Sequence, residues 1–304
     1  MLYRRKVLLA LLEILNRDIT AKSFQKLLFL LTREQKSEKI YDFVPYKYGC
    51  FSFLANHDMT KLAEQGYLSI EKKDDRESYY HLLHDTKSII DLDMFDAQIV
   101  REIVSKYGTM SQDNLIAYTY RKYPFTAINS VIAVNLLNSC ELQIVEDYKK
   151  RYVSTEPMLF TIGYEGMSLE TYLRRLITNG VKMLCDVRKN ACSMKYGFSM
   201  ATLKKACEGV GIYYEHVSAL GIESDMRKSL KKQEDYDMLF DEYERTTLRD
   251  NWDSLLYVRS LIDKYGRVCL TCFEKDPKQC HRSRVAKALK SLDDANFEFQ
   301  HILL

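Results

Sequence analysis

The pattern of apolar and polar positions changes character halfway along the chain. Val7, Leu8, Leu11, Leu12 and Leu15 recur at helical spacing. Thr20 or Ser23 can cap a second helix carrying Phe24, Leu27, Leu28, Leu30 and Leu31. A third helix is predicted over 54–65, closed by Gly66. Tyr67-Leu-Ser-Ile70 and Ser78-Tyr-Tyr-His-Leu82 then alternate as strands do, joined by the charged link Glu71-Lys-Lys-Asp-Asp-Arg-Glu77. Helices followed by such a hairpin make a winged-helix pattern. Further helices are predicted over 95–107, 111–123 and 127–137, with Pro124 interrupting before the last.

The second half has another rhythm. Met158-Leu-Phe-Thr-Ile162 reads as a buried strand, Gly163-Tyr-Glu-Gly166 as a turn, and Ser168 as the cap of a helix with Leu169, Tyr172, Leu173, Leu176 and Ile177 along one side. More strands are predicted over 181–187, 212–217, 268–272 and 297–303, with helices around 203–210, 255–262 and 283–292. Such alternation predicts the α/β class: a mostly parallel sheet with helices on both faces, preceded by a mainly helical, winged-helix-like domain. The boundary follows the charged run Glu146-Asp-Tyr-Lys-Lys-Arg151, giving domains 1–152 and 153–304.

A length of 304 residues suits two domains. With 46% hydrophobic and 29% charged residues the chain is globular, and a net charge of +3 neither demands nucleic acid nor excludes it. No run approaches the roughly 20 apolar residues of a membrane span. The basic, then apolar start contains Glu13 and leads into Asn16-Arg17-Asp18 rather than a small-residue cleavage site. It is read as an amphipathic helix of a cytoplasmic protein with no membrane partner. The eight cysteines lack the spacing of a secreted scaffold, so free thiols are expected. The 22 tyrosines suit packing and also stacking on bases.

Ligands of open α/β sheets bind beyond the carboxyl ends of the strands, so the residues after each strand are the candidates. They are Tyr164 after the first; Asp186 and Arg188 at the second; His216 at the third, with Arg227 downstream; and Cys272, Glu274, Cys280, His281 and Arg282 after the fourth. Asp186 and Glu274 are the expected acid–base pair, with His216 or His281 shuttling protons. Tyr164, Arg188, Arg227 and Arg282 are expected to bind an anion, because guanidinium groups and a helix N-terminus suit phosphate or carboxylate. Cys272 is the candidate nucleophile, although position 278 is Lys and the Cys-x5-Arg spacing of a thiol phosphatase is absent. There is no pair of Cys-x2-Cys knuckles, and adjacent Cys280 and His281 suit one tetrahedral ion poorly. No metal and no cofactor are expected.

The segments Thr161-Ile-Gly-Tyr164-Glu-Gly166, Asp186-Val-Arg188, Ser193 with Phe198, Gly211-Ile-Tyr-Tyr-Glu-His216, Leu220-Gly221 with Arg227, and Cys272-Phe-Glu274-Lys-Asp-Pro with Cys280-His281-Arg282 run in order over 158–304. In these the chain resembles the domain-of-unknown-function 488 family. The family's usual proline after Arg188 is absent from Lys189-Asn-Ala-Cys-Ser193, and Lys195 stands where Arg is common. Lys26-Leu-Leu-Phe-Leu-Leu31 and Tyr41-Asp-Phe-Val-Pro45-Tyr-Lys-Tyr-Gly49, followed by Phe51-Ser52, resemble the winged-helix, Panacea-type antitoxin domains, with Cys50 in place of a proline. The resemblances imply an enzyme or a nucleic-acid-linked role, with a sensing or DNA-associated module in front.

The expected function is an enzyme acting on nucleic acid or a nucleotide, by phosphodiester or N-glycosidic hydrolysis, with the first domain for recognition. The alternatives are a non-catalytic, DNA-linked sensor of a small anion and a Cys272 thiol enzyme. The hairpin link carries four acids against three bases, so a protein partner of the first domain is weighed beside DNA.

Overall fold

The computed structural model describes residues 1–36, 39–74, 77–227, 230–292 and 296–303. The chain forms two compact units, Met1–Arg151 and Tyr152–Leu304.

The first unit begins with α1 (Tyr3–Leu15), β1 (Ile19–Thr20) and α2 (Ala21–Glu34), and the Thr20 hydroxyl accepts from the Ser23 amide to cap α2. Then follow β2 (Val44–Tyr46), β3 (Gly49–Phe51) and α3 (Phe53–Glu64), capped by Ser52. The hairpin β4 (Leu68–Asp74) and β5 (Glu77–Leu82) takes up most of the charged link as strand, and β1 pairs with β5 to make an antiparallel sheet β1-β5-β4. Asp75 and Arg76 of that link lie outside the described residues. α4 (Met94–Tyr107) and α5 (Gln112–Lys122) match the predicted helices, capped by Asp93 and Ser111.

The helix predicted over 127–137 is replaced by a 3-10 turn at Pro124–Ala127 and a short α6 (Ala133–Leu136). The segment between them is drawn to the β2–β3 hairpin: the Asn129 side-chain amide donates to the Pro45 carbonyl and the Val131 N–H to that of Lys47. The Val131 bond takes a backbone N–H out of the helical ladder. α7 (Ser139–Lys150) starts afresh from a capping box made by Asn138 and Glu141. Inside the unit, Gln25 and Ser52 exchange two side chain–backbone bonds, and the buried Lys26 ammonium donates to the Cys50 carbonyl at 3.0 Å.

The second unit runs β6 (Met158–Gly163), α8 (Leu169–Thr178), β7 (Met183–Asp186), α9 (Met200–Gly209), β8 (Tyr213–His216), α10 (Gln233–Tyr243), α11 (Trp252–Tyr265), β9 (Arg267–Cys272), α12 (Arg282–Lys290) and β10 (Glu298–Ile302). Its five strands are all parallel, in the order β10-β6-β9-β7-β8. Leu159, Met183, Cys185, Val268 and Leu270 share one core with Leu255 and Val258 of α11 and Val285 and Leu289 of α12. The alternate positions Phe160, Ile162, Leu184 and Cys269 are buried as well. On that second face Tyr172 of α8 donates a hydrogen bond to Thr271 of β9 at 2.7 Å. Burial on both faces explains the near-continuous apolar strands. No described helix is long and apolar enough to cross a membrane.

Asp58 gathers the N-terminal segment. Its side chain is fully buried and accepts from Arg4 Nε at 2.5 Å, Arg5 Nε at 2.7 Å and the Tyr41 hydroxyl at 3.0 Å. Burial works to raise its pKa, but the hydrogen bonds from Arg4 and Arg5 outweigh burial and hold it below the usual carboxylate range. Its contribution to stability is full above the unfolded value of about 3.9 and lost as pH falls through the lower folded value. Asp58→Asn is therefore expected to unfold at lower urea than wild type at pH 7, with the gap closing as pH falls below about 4. Unfolding midpoints measured across that range check this; a gap independent of pH contradicts it.

Candidate functional site

The polar site begins with backbone alternation. Asp186 ends β7 opposite His216 of β8, and Leu184 lies opposite Tyr214, so Asp186, Tyr214 and His216 share one face. Asp186 is fully buried. Its Oδ2 accepts from the Tyr214 hydroxyl at 2.6 Å and from Arg188 Nη2 at 2.5 Å, and its Oδ1 from Arg188 Nε at 2.8 Å. Arg188 Nη1 donates to the Tyr164 hydroxyl at 2.8 Å and to the Phe198 carbonyl at 2.9 Å. Burial opposes the charge on Arg188, but the hydrogen bond and charge of Asp186 outweigh it and push its pKa up. Burial, then the Asp186 charge, pushes the Tyr214 hydroxyl up as well, so it stays a donor. His216 Nε2 lies 2.8 Å from the Arg188 carbonyl, and the Tyr164 ring stacks on Phe198 at 4.2 Å.

A second cluster sits past the end of β9. Cys272 Sγ donates to Glu274 Oε2 at 3.2 Å and lies 3.8 Å from His281 Nδ1; Cys280 Sγ lies 4.0 Å from that nitrogen. His281 Nε2 is 2.8 Å from the Val187 carbonyl. A carbonyl only accepts, so Nε2 carries the proton and Nδ1 presents its lone pair to the sulfurs. Burial pushes the Cys280 thiol well above its ordinary pKa. Arg282 is buried; its Nη1 and Nη2 donate to the carbonyls of Glu274 and Lys275 at 2.6 and 3.1 Å.

Two glycines let the loops meet. A Cβ on Gly163 would stand 1.8 Å from the Glu274 carbonyl oxygen, and one on Gly221 would stand 2.1 Å from the Lys189 nitrogen. Only glycine permits so close a backbone approach. Between the loops lies a cleft of about 320 Å³, bordered by Tyr164, Arg188, Lys189, Phe273, Glu274 and His281 among others.

The residues singled out in the sequence thus fall into separate places. Tyr164, Arg188, Cys272, Glu274 and His281 border the cleft. Asp186 and His216 do not; they tie the ends of β7 and β8 beneath it. Arg188 borders it but spends most of its donors on Asp186, Tyr164 and Phe198. Arg282 shapes the Glu274–Lys275 backbone instead of facing the cleft. The side chain of Arg227 lies outside the described residues. Tyr214, the partner of Asp186, was not singled out, although its position two residues before His216 places both on one strand face. Phe273 and Lys189 were also missed; both follow a singled-out residue directly, and strand alternation gives no account of loop side chains.

The unit is an α/β domain whose cleft opens at the carboxyl ends of a parallel sheet, the usual place for a ligand in such folds. Residues 168–289 match the family described as Domain of unknown function DUF488. That span covers the Asp186 cluster from β7 and β8 and the Cys272–Arg282 segment. No curated protein matches the chain.

Asp186→Asn leaves a buried guanidinium without its counter-charge, a change that costs about 3–5 kcal/mol. Tyr214→Phe removes one hydrogen bond to a charged carboxylate, worth about 1.5–3 kcal/mol. Urea unfolding of the two variants is expected to rank them in that order, and equal losses would contradict the ion pair as the organising contact.

Proposed function

We propose that the strand-end cleft is the active site of a hydrolase acting on a nucleotide or nucleic acid, with Glu274 as its acid–base group. The observation that carries this reading is where Glu274 lies: on the cleft, just past the central strand, in a loop whose backbone is gripped by Arg282. The Phe273 ring beside it is 41% exposed and offers a base a stacking surface. Lys189 also borders the cleft; its ammonium pairs with Glu223 at 3.0 Å, an exposed contact that a phosphate can exchange for its own. The volume lies at the lower end of the roughly 300–1,000 Å³ of small-molecule sites, enough for one nucleotide unit at a time. Hydrolysis of a phosphodiester or an N-glycosidic bond calls on one group to take a proton from water or give one to the leaving group, and a carboxyl serves either need.

The thiol reading has less support: the Cys272 sulfur is engaged as a donor to Glu274 Oε2 at 3.2 Å, and the Cys-x5-Arg spacing is absent.

The N-terminal unit serves recognition in this proposal. Its β4–β5 hairpin follows α2 and α3 and pairs with β1, which supports the winged-helix reading. Glu71, Lys72, Lys73 and Glu77 give the described part of the hairpin mixed charge, which suits a protein partner as well as DNA. If DNA is that partner, duplex binding by the full chain is expected to weaken steeply between low and physiological salt in a gel-shift titration; no shift at low salt leaves a protein as the partner.

Incubation with mononucleotides and with single- and double-stranded oligonucleotides tests the activity, with strand scission and base release scored separately. Glu274→Gln is expected to lower turnover about 10²–10⁴-fold while the fold is kept. No turnover of any of these by the wild-type chain, or full activity in Glu274→Gln, would sink the proposal.

A further inference from the structure

We propose that Cys272, Cys280 and His281 form a binding site for a soft divalent cation of the zinc type, with a fourth coordination position opening on the cleft. The claim does not depend on the hydrolase reading. The donor atoms of the three residues all lie within 4.8 Å of one another. Zn–S bonds of about 2.3 Å and Zn–N bonds of about 2.0–2.1 Å at tetrahedral angles put sulfur and nitrogen ligands about 3.6 Å apart. The sulfur-to-Nδ1 separations here, 3.8 and 4.0 Å, need a contraction of only a few tenths of an ångström.

Neighbouring Cys280 and His281 converge because the backbone turns between them. Cys280 is extended (φ −136°, ψ 133°) and His281 is helical (φ −62°, ψ −21°), so their side chains leave on the same side of the loop. The intervening chain is held in shape before any ion arrives. The Asp276 carboxylate caps the Lys278 N–H at 2.8 Å, a 3-10 turn over Pro277–Gln279 brings the chain back to the strand end, and the Ser283 hydroxyl donates to the Pro277 carbonyl at 2.5 Å. Arg282 holds the other side of the loop through the Glu274 and Lys275 carbonyls.

Three further features point to a cation. The proton on His281 Nε2 is fixed by the Val187 carbonyl, leaving Nδ1 as the donor atom; metal-bound histidines are oriented by such a contact. Two thiolates and a neutral imidazole balance a charge of +2, with the Glu274 carboxylate, 3.2 Å from Cys272 Sγ, as a further anion beside the ion. Two sulfurs and an imidazole also select zinc over magnesium or calcium, which prefer oxygen. Cys272 and His281 border the cleft whereas Cys280 does not, so the centre is closed on one side and open on the other. Three protein ligands with an open fourth position are the arrangement of catalytic rather than structural zinc.

The full-length chain, stripped with a chelator under a reductant that does not bind zinc, is titrated with Zn²⁺ against a chromophoric competitor and separately with Co²⁺. One equivalent of each is expected, with a thiolate-to-cobalt charge-transfer band. Cys280→Ser, checked for folding by circular dichroism, is expected to lose affinity by more than the roughly 10–100-fold that loss of an outer-shell partner costs. X-ray absorption of the zinc-loaded wild type needs no variant and is expected to show two sulfur neighbours. Absence of zinc uptake by the folded wild type, undiminished uptake by folded Cys280→Ser, or a shell of nitrogen and oxygen alone would each overturn the site.

Discussion

Beneath the cleft, Arg188 lies across the buried carboxylate of Asp186, and the strand ends around it are arranged to keep that pair satisfied. A carboxylate with no exposed surface is tolerated only with an opposite charge and hydrogen bonds at hand. Arg188 gives two nitrogens to the carboxylate, Tyr214 of the edge strand gives its hydroxyl, and the far side of the guanidinium takes Tyr164 from the end of β6 and the Phe198 carbonyl from the loop before α9. One pair therefore ties together elements from β6, β7 and β8. It also turns the chain after β7 so that Lys189 reaches the cleft wall.

The loop after β9 is the complementary half of the site. Its outer path is held by arginine–carbonyl bonds and a proline turn, and its inner path carries Cys272, Glu274 and His281 to the cleft. Gly163 makes the two halves compatible, because any side chain there would collide with the Glu274 carbonyl. The two halves divide the labour. Asp186 and its partners give rigidity beneath the surface, while the groups of the β9 loop stand where a ligand can reach them. Arginine acts in both halves as an internal brace, its planar fork spanning a carboxylate in one and two backbone carbonyls in the other.

In the first unit a similar device works at smaller scale. Asp58 collects Arg4, Arg5 and Tyr41, and Gln25 clasps the Ser52 backbone, so the short β2–β3 hairpin is fixed against α2. The segment 128–132 gives the Val131 N–H and the Asn129 side-chain amide to that hairpin and does not complete the helix its apolar spacing suggests. Local periodicity lost there to a non-local set of hydrogen bonds.

The sequence by itself determined the parallel α/β unit, because strands buried on both faces leave apolar runs and helices leave stripes and caps, such as Ser168 before α8. It also located the ends of the strands, and so the region of the site. It could not determine which polar residues face the cleft. Asp186 ends one apolar strand and Glu274 lies just past another, but the first is sealed under Tyr214 and Arg188 while the second borders open space. Nor could it bring Cys272 to Cys280 and His281, since that convergence depends on a turn and on backbone angles that residue spacing does not encode. Strand ends are set by local alternation, legible along one chain. The direction of a loop side chain is set by what packs around it in space, and only the tertiary structure supplies that.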